Sequence, residues 1–200
     1  MMKILSKKII KNTFVHTWWI YLICPIILSI LFYFAFNIYH LPSSYEKINI
    51  CVVSTLIDDS FKDEIKEDIN KDSLKQINIS SLSPNQNRFE EKLEVVGLHN
   101  CDLLILDKNT IDNMLDIEQY FLIIDEQLSQ YHQQGFYLFN NNKYGYDISS
   151  SSLFDKYISK EYQYYYLLIN INSKNIGKYV SEDNIDNDNA LLILEKLLKL

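Results

Sequence analysis

The chain has few of the residues that build phosphate loops, nucleophile turns and disulfide frameworks. Its 200 residues include four glycines, three prolines, three cysteines and, at Arg88, a single arginine. Scattered glycines do not form a phosphate loop or a GxSxG turn, and no Cys or His spacing is typical of a zinc site. Carboxylates are numerous enough to leave glycosidase chemistry open, but nothing in the sequence favours it. We expect no catalytic activity, no resident metal and no cofactor.

Acidic residues are missing from the first 45 residues, which carry four lysines, namely Lys3, Lys7, Lys8 and Lys11. Residues 46–200 contain the other 15 basic residues and all 26 acidic ones, which gives that part a net charge of −11. Because such a charge repels phosphates, we expect no nucleic-acid partner. The abundance of Ile, Asn and Lys, with little Ala and Arg, is typical of an AT-rich genome and predicts a bacterial source.

One long apolar run, Trp18–Tyr39, contains no charged residue. At about 1.5 Å rise per residue, a helix of this length crosses a hydrocarbon core of about 30 Å. Aromatic residues at both ends suit the membrane interfaces, and a lysine-rich flank stays in the cytoplasm. The sequence therefore predicts a single-pass signal anchor in the cell membrane. It divides the chain into a cytoplasmic N-terminus (1–17), a transmembrane segment (18–39), a linker (40–47) and an extracytoplasmic domain (48–200).

Three alternatives fit this run less well than an uncleaved anchor. A cleavable signal peptide has an apolar core of about 7 to 15 residues, and only the weak segment 41–44 offers a cleavage site. A lipoprotein would need small residues before Cys24, which instead follows Tyr21, Leu22 and Ile23. A core helix of a soluble protein seldom carries so long an uncharged run with aromatic ends.

Strand-like and helix-like patterns alternate in the outer domain. Short apolar runs typical of buried strands lie at Ile48–Ser54 and Asp102–Leu106, and a further strand is predicted between them at Gln76–Leu82. Amphipathic patterns between them begin near Asp58 and Phe89, and the second ends at Gly97 in a C′ position. This order predicts an α/β domain with a layered, mostly parallel sheet. Later elements are expected to be a helix capped by Asn109 or Thr110, a turn or helix at Asp125–Tyr131, a hairpin of Gly135–Phe139 with Tyr144–Ile148, a strand at Tyr164–Ile171 and a helix at Asp188–Leu200.

Two segments, CDLLILDKNTIDNMLDIEQYFLIIDEQL (101–128) and FNNNKYGYDI (139–148), have an order and spacing that resemble extracellular solute-binding proteins of ABC importers. In that family a strand leads to a helix, to an L-D-E-L-like segment and to a G-K-x-Y-G hairpin. Leu122–Leu128 matches the second feature and Asn142–Gly145 the third, with Asn142 in place of the usual glycine. The resemblance covers about 50 residues, in a domain about half as long as the family's. It implies the fold of one lobe of a solute-binding protein.

Polar residues follow two of the predicted strands, and ligands of open parallel sheets bind beyond the carboxyl ends of the strands. They are Ser54, Thr55 and Asp58 after the first strand, and Asp107, Lys108 and Asn109 after the third. The resemblance implies that two hairpin tyrosines lie nearby. A purely structural role, with Asp58 and Asn109 as helix N-caps, stays open. The candidate ligand-binding residues are Ser54, Thr55, Asp58, Asp107, Asn109, Tyr144 and Tyr146.

A weak calcium-loop pattern precedes the last predicted helix. Its positions 1, 3, 5 and 12 are Asn184, Asp186, Asp188 and Glu195. Position 6 is Asn189, where such a loop needs glycine, so a carboxylate-rich helix cap is the favoured interpretation.

Cysteines and tyrosines also allow two interpretations each. Cys51 and Cys101 suit a disulfide in an oxidising compartment or two buried thiols. A group of five tyrosines suits a sugar- or peptide-stacking surface, but a core strand is the favoured interpretation. The five are Tyr157, Tyr162, Tyr164, Tyr165 and Tyr166.

These patterns predict a membrane-anchored extracytoplasmic binding or accessory protein, similar to solute-binding proteins and a component of an ABC-type transport system. Its expected partner is another membrane subunit of that system. The alternative is a surface subunit that binds a protein, such as a sensor, immunity or assembly factor, without a small-molecule ligand. A remnant of an ABC export permease is a third interpretation. A deep polar cleft would favour the first class, and an exposed apolar face the second.

Overall fold

The computed structural model describes residues 7–67, 73–131, 135–159, 162–180 and 186–199. The chain divides into two compact units, residues 1–41 and 42–200. Helix α1, Lys7–His40, belongs to the first unit and continues through Pro25. Its 26-residue segment Val15–His40 is long and apolar enough to cross a membrane, and none of its residues is buried. Length and composition alone also fit a signal sequence.

The second unit is built on a six-stranded sheet with the strand order β2-β1-β3-β6-β5-β4. The strands are β1 (Lys47–Val53), β2 (Gln76–Leu82), β3 (Leu103–Asp107), β4 (Phe136–Phe139), β5 (Asn142–Asp147) and β6 (Tyr165–Ile169). The helices are α2 (Ser60–Glu67), α3 (Phe89–Lys92), α4 (Lys108–Asp112), α5 (Ile117–Tyr120), α6 (Ser152–Tyr157) and α7 (Asn189–Lys199). Single helical turns lie at Leu93–Leu98, Leu128–Tyr131 and Gly177–Tyr179. The predicted α/β class is confirmed.

The sheet is mixed, with two parallel and three antiparallel strand pairings, so the prediction of a mostly parallel sheet is wrong. Strand β1 pairs in parallel with β2 and β3, as the alternating strand and helix patterns predict. Strands β4, β5 and β6 are joined to each other and to β3 by antiparallel pairs. All five residues of β6 are buried, and such a continuous apolar run gives no indication of strand direction.

Helices cover both faces of the sheet. On one face, Ile50 of β1 packs in a core with α2 and α7, to which Phe61 and Leu194 belong. On the other face, Cys51 packs in a second core with residues of the 93–98 turn, α4 and α5. Because successive residues of a strand point to opposite faces, the buried strand β1 feeds both cores. The domain therefore has three layers.

The second helix does not end as the sequence predicts. Helix α3 continues into the π-helical turn Leu93–Leu98, so Gly97 lies inside the turn and not at a C′ position. A Cβ atom at Gly97 would lie 3.0 Å from Leu93 Cδ1, 3.3 Å from Leu104 Cδ2 and 3.5 Å from Cys51 Sγ. The glycine therefore permits close packing of the turn on the sheet.

Candidate functional site

The carboxyl end of β1, where the sequence predicts a binding rim, is covered by the chain itself. The connection from β5 to β6, described for residues 148–159 and 162–164, folds back over this end of the sheet. Ser54 Oγ lies 2.8 Å from the Ser159 carbonyl oxygen, and Ile57 forms an antiparallel bridge with Ile158. The chain's own backbone thus occupies space beyond the first strand that a ligand would need.

Ser54 is buried, and its polar atoms are used within the fold. Its backbone N–H donates to the Leu82 carbonyl oxygen at 3.1 Å. Its hydroxyl lies 3.0 Å from the Leu56 carbonyl oxygen, and its own carbonyl oxygen accepts from Ser81 Oγ at 2.8 Å. These contacts join β1, β2 and the loop that follows β1.

Asp107 is buried and is the N-cap of α4. Its Oδ1 accepts from Thr110 N at 3.0 Å, and its Oδ2 accepts from Thr110 Oγ1 at 2.5 Å. The prediction that Asn109 or Thr110 caps this helix is therefore wrong, because the backbone turns helical directly after Asp107. Lys108 N donates to the Tyr164 carbonyl oxygen at 3.0 Å. Asn109 lies within α4 and is exposed.

Tyr144 and Tyr146 are both buried but belong to opposite cores. Tyr137 of β4 pairs with Gly145, and Leu138 pairs with Lys143. Tyr144 therefore has no pairing partner on β4 and is a bulge residue. The bulge brings Tyr144 into the same core as Tyr137, whereas the Tyr146 hydroxyl donates to the Leu128 carbonyl oxygen at 2.9 Å. Burial raises the pKa of Tyr144. The structure does not bring these two tyrosines together.

Thr55 and Asp58 are the predicted residues after β1 that stay on an open surface. Asp58 Oδ1 accepts from Ser60 N at 2.8 Å and also from the Ser60 hydroxyl, which forms an Asx turn before α2. These hydrogen bonds lower the pKa of Asp58, so the carboxylate is held in its charged form. The interpretation of Asp58 as a local cap agrees with this geometry.

Both residues line an open groove with a volume of about 500 Å³, which we call the β2 groove. Its walls contain apolar side chains, uncharged polar side chains and charged side chains of both signs. Leu56, at its margin, is 71% exposed. The groove is lined by Thr55, Leu56, Ile57, Asp58, Asp59, Lys62, Ile77, Asn78, Ile79 and Ser81.

The outer edge of β2 borders this groove. Among the described residues, β2 pairs with β1 alone and ends the sheet. The backbone polar groups of the even-numbered residues of β2 point towards β1, because Gln76 N donates to Glu46 O and Leu82 O accepts from Ser54 N. Because backbone polar groups of a strand alternate between its two sides, those of Ile77, Ile79 and Ser81 point outward. None of the seven residues of β2 is charged.

A buried polar cluster at the amino ends of β1 and β3 was not anticipated from the sequence. Asp102 accepts from Asn49 N at 2.8 Å, from Ser173 Oγ at 2.6 Å and from Asn175 Nδ2 at 2.9 Å. Asn175 Nδ2 also lies 3.2 Å from two carbonyl oxygens in residues 44–47. Burial raises the pKa of Asp102, and these hydrogen bonds oppose the rise. These hydrogen bonds hold residues 44–47, at the start of the domain, against the sheet.

The calcium-loop residues lie only partly within the described part of the chain. Asn184 falls outside it, whereas Asp186, Asp188 and Glu195 line one cavity of about 740 Å³. Helix α7 begins at Asn189, inside the supposed loop. No group of three or more His, Cys, Asp or Glu among the described residues could hold a metal ion.

The tyrosine group follows the core-strand interpretation in part. Tyr165 and Tyr166 lie in β6, are buried and belong to opposite cores. Tyr157 is buried, and its hydroxyl donates to Glu64 Oε2 at 3.0 Å. Tyr164, by contrast, is 44% exposed. The described residues therefore present no continuous tyrosine surface.

Comparison with known proteins identifies no relative. No family model matches the chain, and no curated protein or solved structure shows significant similarity to it.

Proposed function

We propose that the chain is a membrane-anchored accessory or assembly subunit whose extracytoplasmic domain binds an extended segment of another protein at the β2 groove. The observation that carries this proposal is the uncharged edge of β2, which pairs with no second strand in the described part of the chain and borders an open groove. The carboxyl end of β1, by contrast, is covered by the β5–β6 connection. The four lysines before the apolar segment support an orientation with the domain outside.

An added strand fits the chemistry of this edge. Edge strands that avoid unwanted pairing usually carry Lys, Pro or a bulge, and β2 has none of these. Main-chain hydrogen bonds to the outward groups of Ile77, Ile79 and Ser81 would give affinity. The groove, with exposed Leu56 beside Lys62, would select alternate side chains of the added strand. In a domain of charge −11, an uncharged edge also reduces repulsion of an acidic partner.

Substitutions at Ser81 test the added strand. Ser81→Pro removes an outward N–H group, which an edge strand tolerates in isolation, and also removes the hydroxyl bond to Ser54. Ser81→Ala removes that hydroxyl bond but keeps the N–H group. We would place a photo-crosslinking residue at Thr55 of the full chain in its native membrane. The expected result is one discrete cross-linked product that Ser81→Ala retains and Ser81→Pro loses.

Either of two results would contradict the proposal. One is the absence of a cross-linked product from Thr55 and from a second probe at Lys62. The other is a product that Ser81→Pro and Ser81→Ala reduce equally, since the backbone N–H group would then have no part in binding.

The volume of the groove favours a second candidate function. In it, the groove binds a small polar solute and delivers it to an ABC-type transport system. A volume of about 500 Å³ lies within the range of small-molecule sites. A thermal-shift screen of the full chain against sugars, amino acids, short peptides and divalent ions tests this candidate. A ligand present at 100 times its Kd raises the free energy of unfolding by about 2.7 kcal/mol. A rise of the unfolding temperature with one class of compound, lost in the Asp58→Ala variant, would favour a small solute as the ligand of the groove.

A further inference from the structure

Two cysteines lie in the core of the outer domain, away from the β2 groove. Cys51 is in the middle of β1 and is fully buried. Cys101 lies between the 93–98 turn and β3 and is 5% exposed. Both belong to the core on the side of α4 and α5. Neither is bonded to another cysteine in the structure.

The two thiols lie in the same part of this core, on either side of Ser80. Cys51 stands opposite Ser80 of β2 and Leu104 of β3 in the sheet. Ser80 Oγ lies 4.0 Å from Cys101 Sγ, so the Cys101 side chain extends over β1 towards β2. Cys51 and Cys101 shift each other's pKa, and the Ser80 hydroxyl lowers the pKa of both. Ser80 is thus a neighbour of both cysteines, of Cys51 through the register of the sheet and of Cys101 through its sulfur atom.

The 93–98 turn covers these sulfurs. Cys101 Sγ donates to the Val96 carbonyl oxygen at 3.1 Å. At Gly97 a Cβ atom would lie 3.5 Å from Cys51 Sγ. Because the turn is a short helical segment at the surface of the core, local opening of it exposes Cys101 before Cys51.

We propose that Cys51 and Cys101 are a reactive dithiol pair that a disulfide donor oxidises to an intramolecular disulfide, with Cys101 reacting first. The Cys101 thiolate attacks the donor disulfide and forms a mixed disulfide, and Cys51 then attacks the Cys101 sulfur. Two S–H bonds and the donor's S–S bond break, and one S–S bond forms. The donor leaves as two thiols that carry both protons and both electrons.

The order of reaction follows from the surroundings of each sulfur. The hydrogen bond from the Cys51 thiol lowers the pKa of Cys101, because it stabilises the Cys101 thiolate. The same pairing, together with burial, raises the pKa of Cys51. Cys101 is also the cysteine that contacts the 93–98 turn, through Val96, whereas Cys51 is fully buried, so a donor reaches Cys101 first.

The test uses the full-length chain in detergent with Cys24→Ser, which removes the cysteine of α1. Oxidised glutathione is the donor, and thiols are alkylated after denaturation and counted by mass spectrometry. We expect this variant to lose both alkylatable thiols and to yield a cross-linked peptide containing Cys51 and Cys101. Its midpoint of thermal unfolding should rise by several degrees, because the bridge restrains the unfolded chain.

Two single substitutions in the same background identify the thiol that reacts first. Cys51→Ser should accumulate a glutathione adduct at Cys101, whereas Cys101→Ser should keep Cys51 unmodified while the protein is folded. Retention of both alkylatable thiols after prolonged oxidation, or disulfides formed between chains, would overturn the proposal. Equal rates of adduct formation in the two variants would overturn the order of reaction.

Discussion

Asp107 stands where β3 ends and α4 begins, and both of its carboxylate oxygens contact Thr110. We expect Asp107→Ala to lower the free energy of unfolding by about 1 to 2 kcal/mol, because the first turn of α4 loses its cap. Urea denaturation of residues 42–200, the second compact unit, measures the change.

Two substitutions serve as controls for this cap. Asp107→Asn keeps an oxygen acceptor for the Thr110 N–H group and should cost less than Asp107→Ala. Asn109→Ala changes an exposed residue of the same helix and should stay within about 0.5 kcal/mol of the original chain. Unchanged stability of Asp107→Ala would contradict the structural role of this carboxylate.

Ser54 shows which part of a candidate site the sequence can predict. The order of strand and polar residues places Ser54 correctly at the end of β1. Its hydroxyl partner, however, is the Ser159 carbonyl oxygen, 105 residues further along the chain. Since local patterns contain no information on such a contact, the sequence could not show that this hydroxyl is already used. The ligand-binding roles of Thr55, Asp58 and Asn109, which stay exposed, remain predictions.

The hairpin of β4 and β5 depends on the conformation of its two turn residues. Asn140 and Asn141 have positive φ angles of 48° and 64°, and Phe139 pairs with Asn142 across the turn. Type I′ hairpin turns need this conformation, and Asn-Gly is their preferred sequence. We expect Asn141→Gly to raise the free energy of unfolding by up to about 1 kcal/mol.

A β-branched residue at the same position gives the matched opposite change. Asn141→Val should lower the free energy of unfolding by about 1 to 2 kcal/mol, since valine resists a positive φ. Urea denaturation of both variants measures the difference. Equal effects of glycine and valine would show that the turn does not hold this conformation in solution.

The strands and most helices were predictable from the sequence, and two short helices were not. Strand β2 coincides with its predicted limits, and α7 lies within one residue of them at each end. Helices α5 and α6 were missed, because segments of four and six residues are too short to show periodicity. The direction of β6 was also missed, since it depends on pairing with β3 and β5, which are distant in the sequence.

The closed end of β1 is a property of the assembled domain. It requires the β5–β6 connection to return to the loop after β1, where Ile57 meets Ile158. The general rule for open parallel sheets predicts a binding rim at this end of the strands. The rule does not hold for this end of β1, because an antiparallel strand and its connection follow the parallel half of the sheet. The open groove therefore lies between β2 and the loop of residues 55–59 that follows β1.

The charge difference between the helical unit and the acidic domain predicts an orientation for the proposed membrane anchor. The lysines precede the apolar segment, and the domain after it carries a charge of −11. Flanking lysines hold their side in the cytoplasm, so we expect protease added to intact cells to cleave residues 42–200 and to spare the N-terminus. Immunoblots with tags at the two ends measure this.

Lysine substitutions test whether the charge sets that orientation. Replacing Lys3, Lys7, Lys8 and Lys11 by glutamine should reduce the protease-accessible fraction, because the positive flank no longer biases insertion. Adding lysines to segment 42–45 of that variant should reduce it further. A lysine-free variant that remains fully accessible would show that the folded domain, and not the charge, sets the orientation. A mature chain that begins after residue 44 would instead identify the apolar segment as a cleaved signal peptide, and the groove would then act in solution.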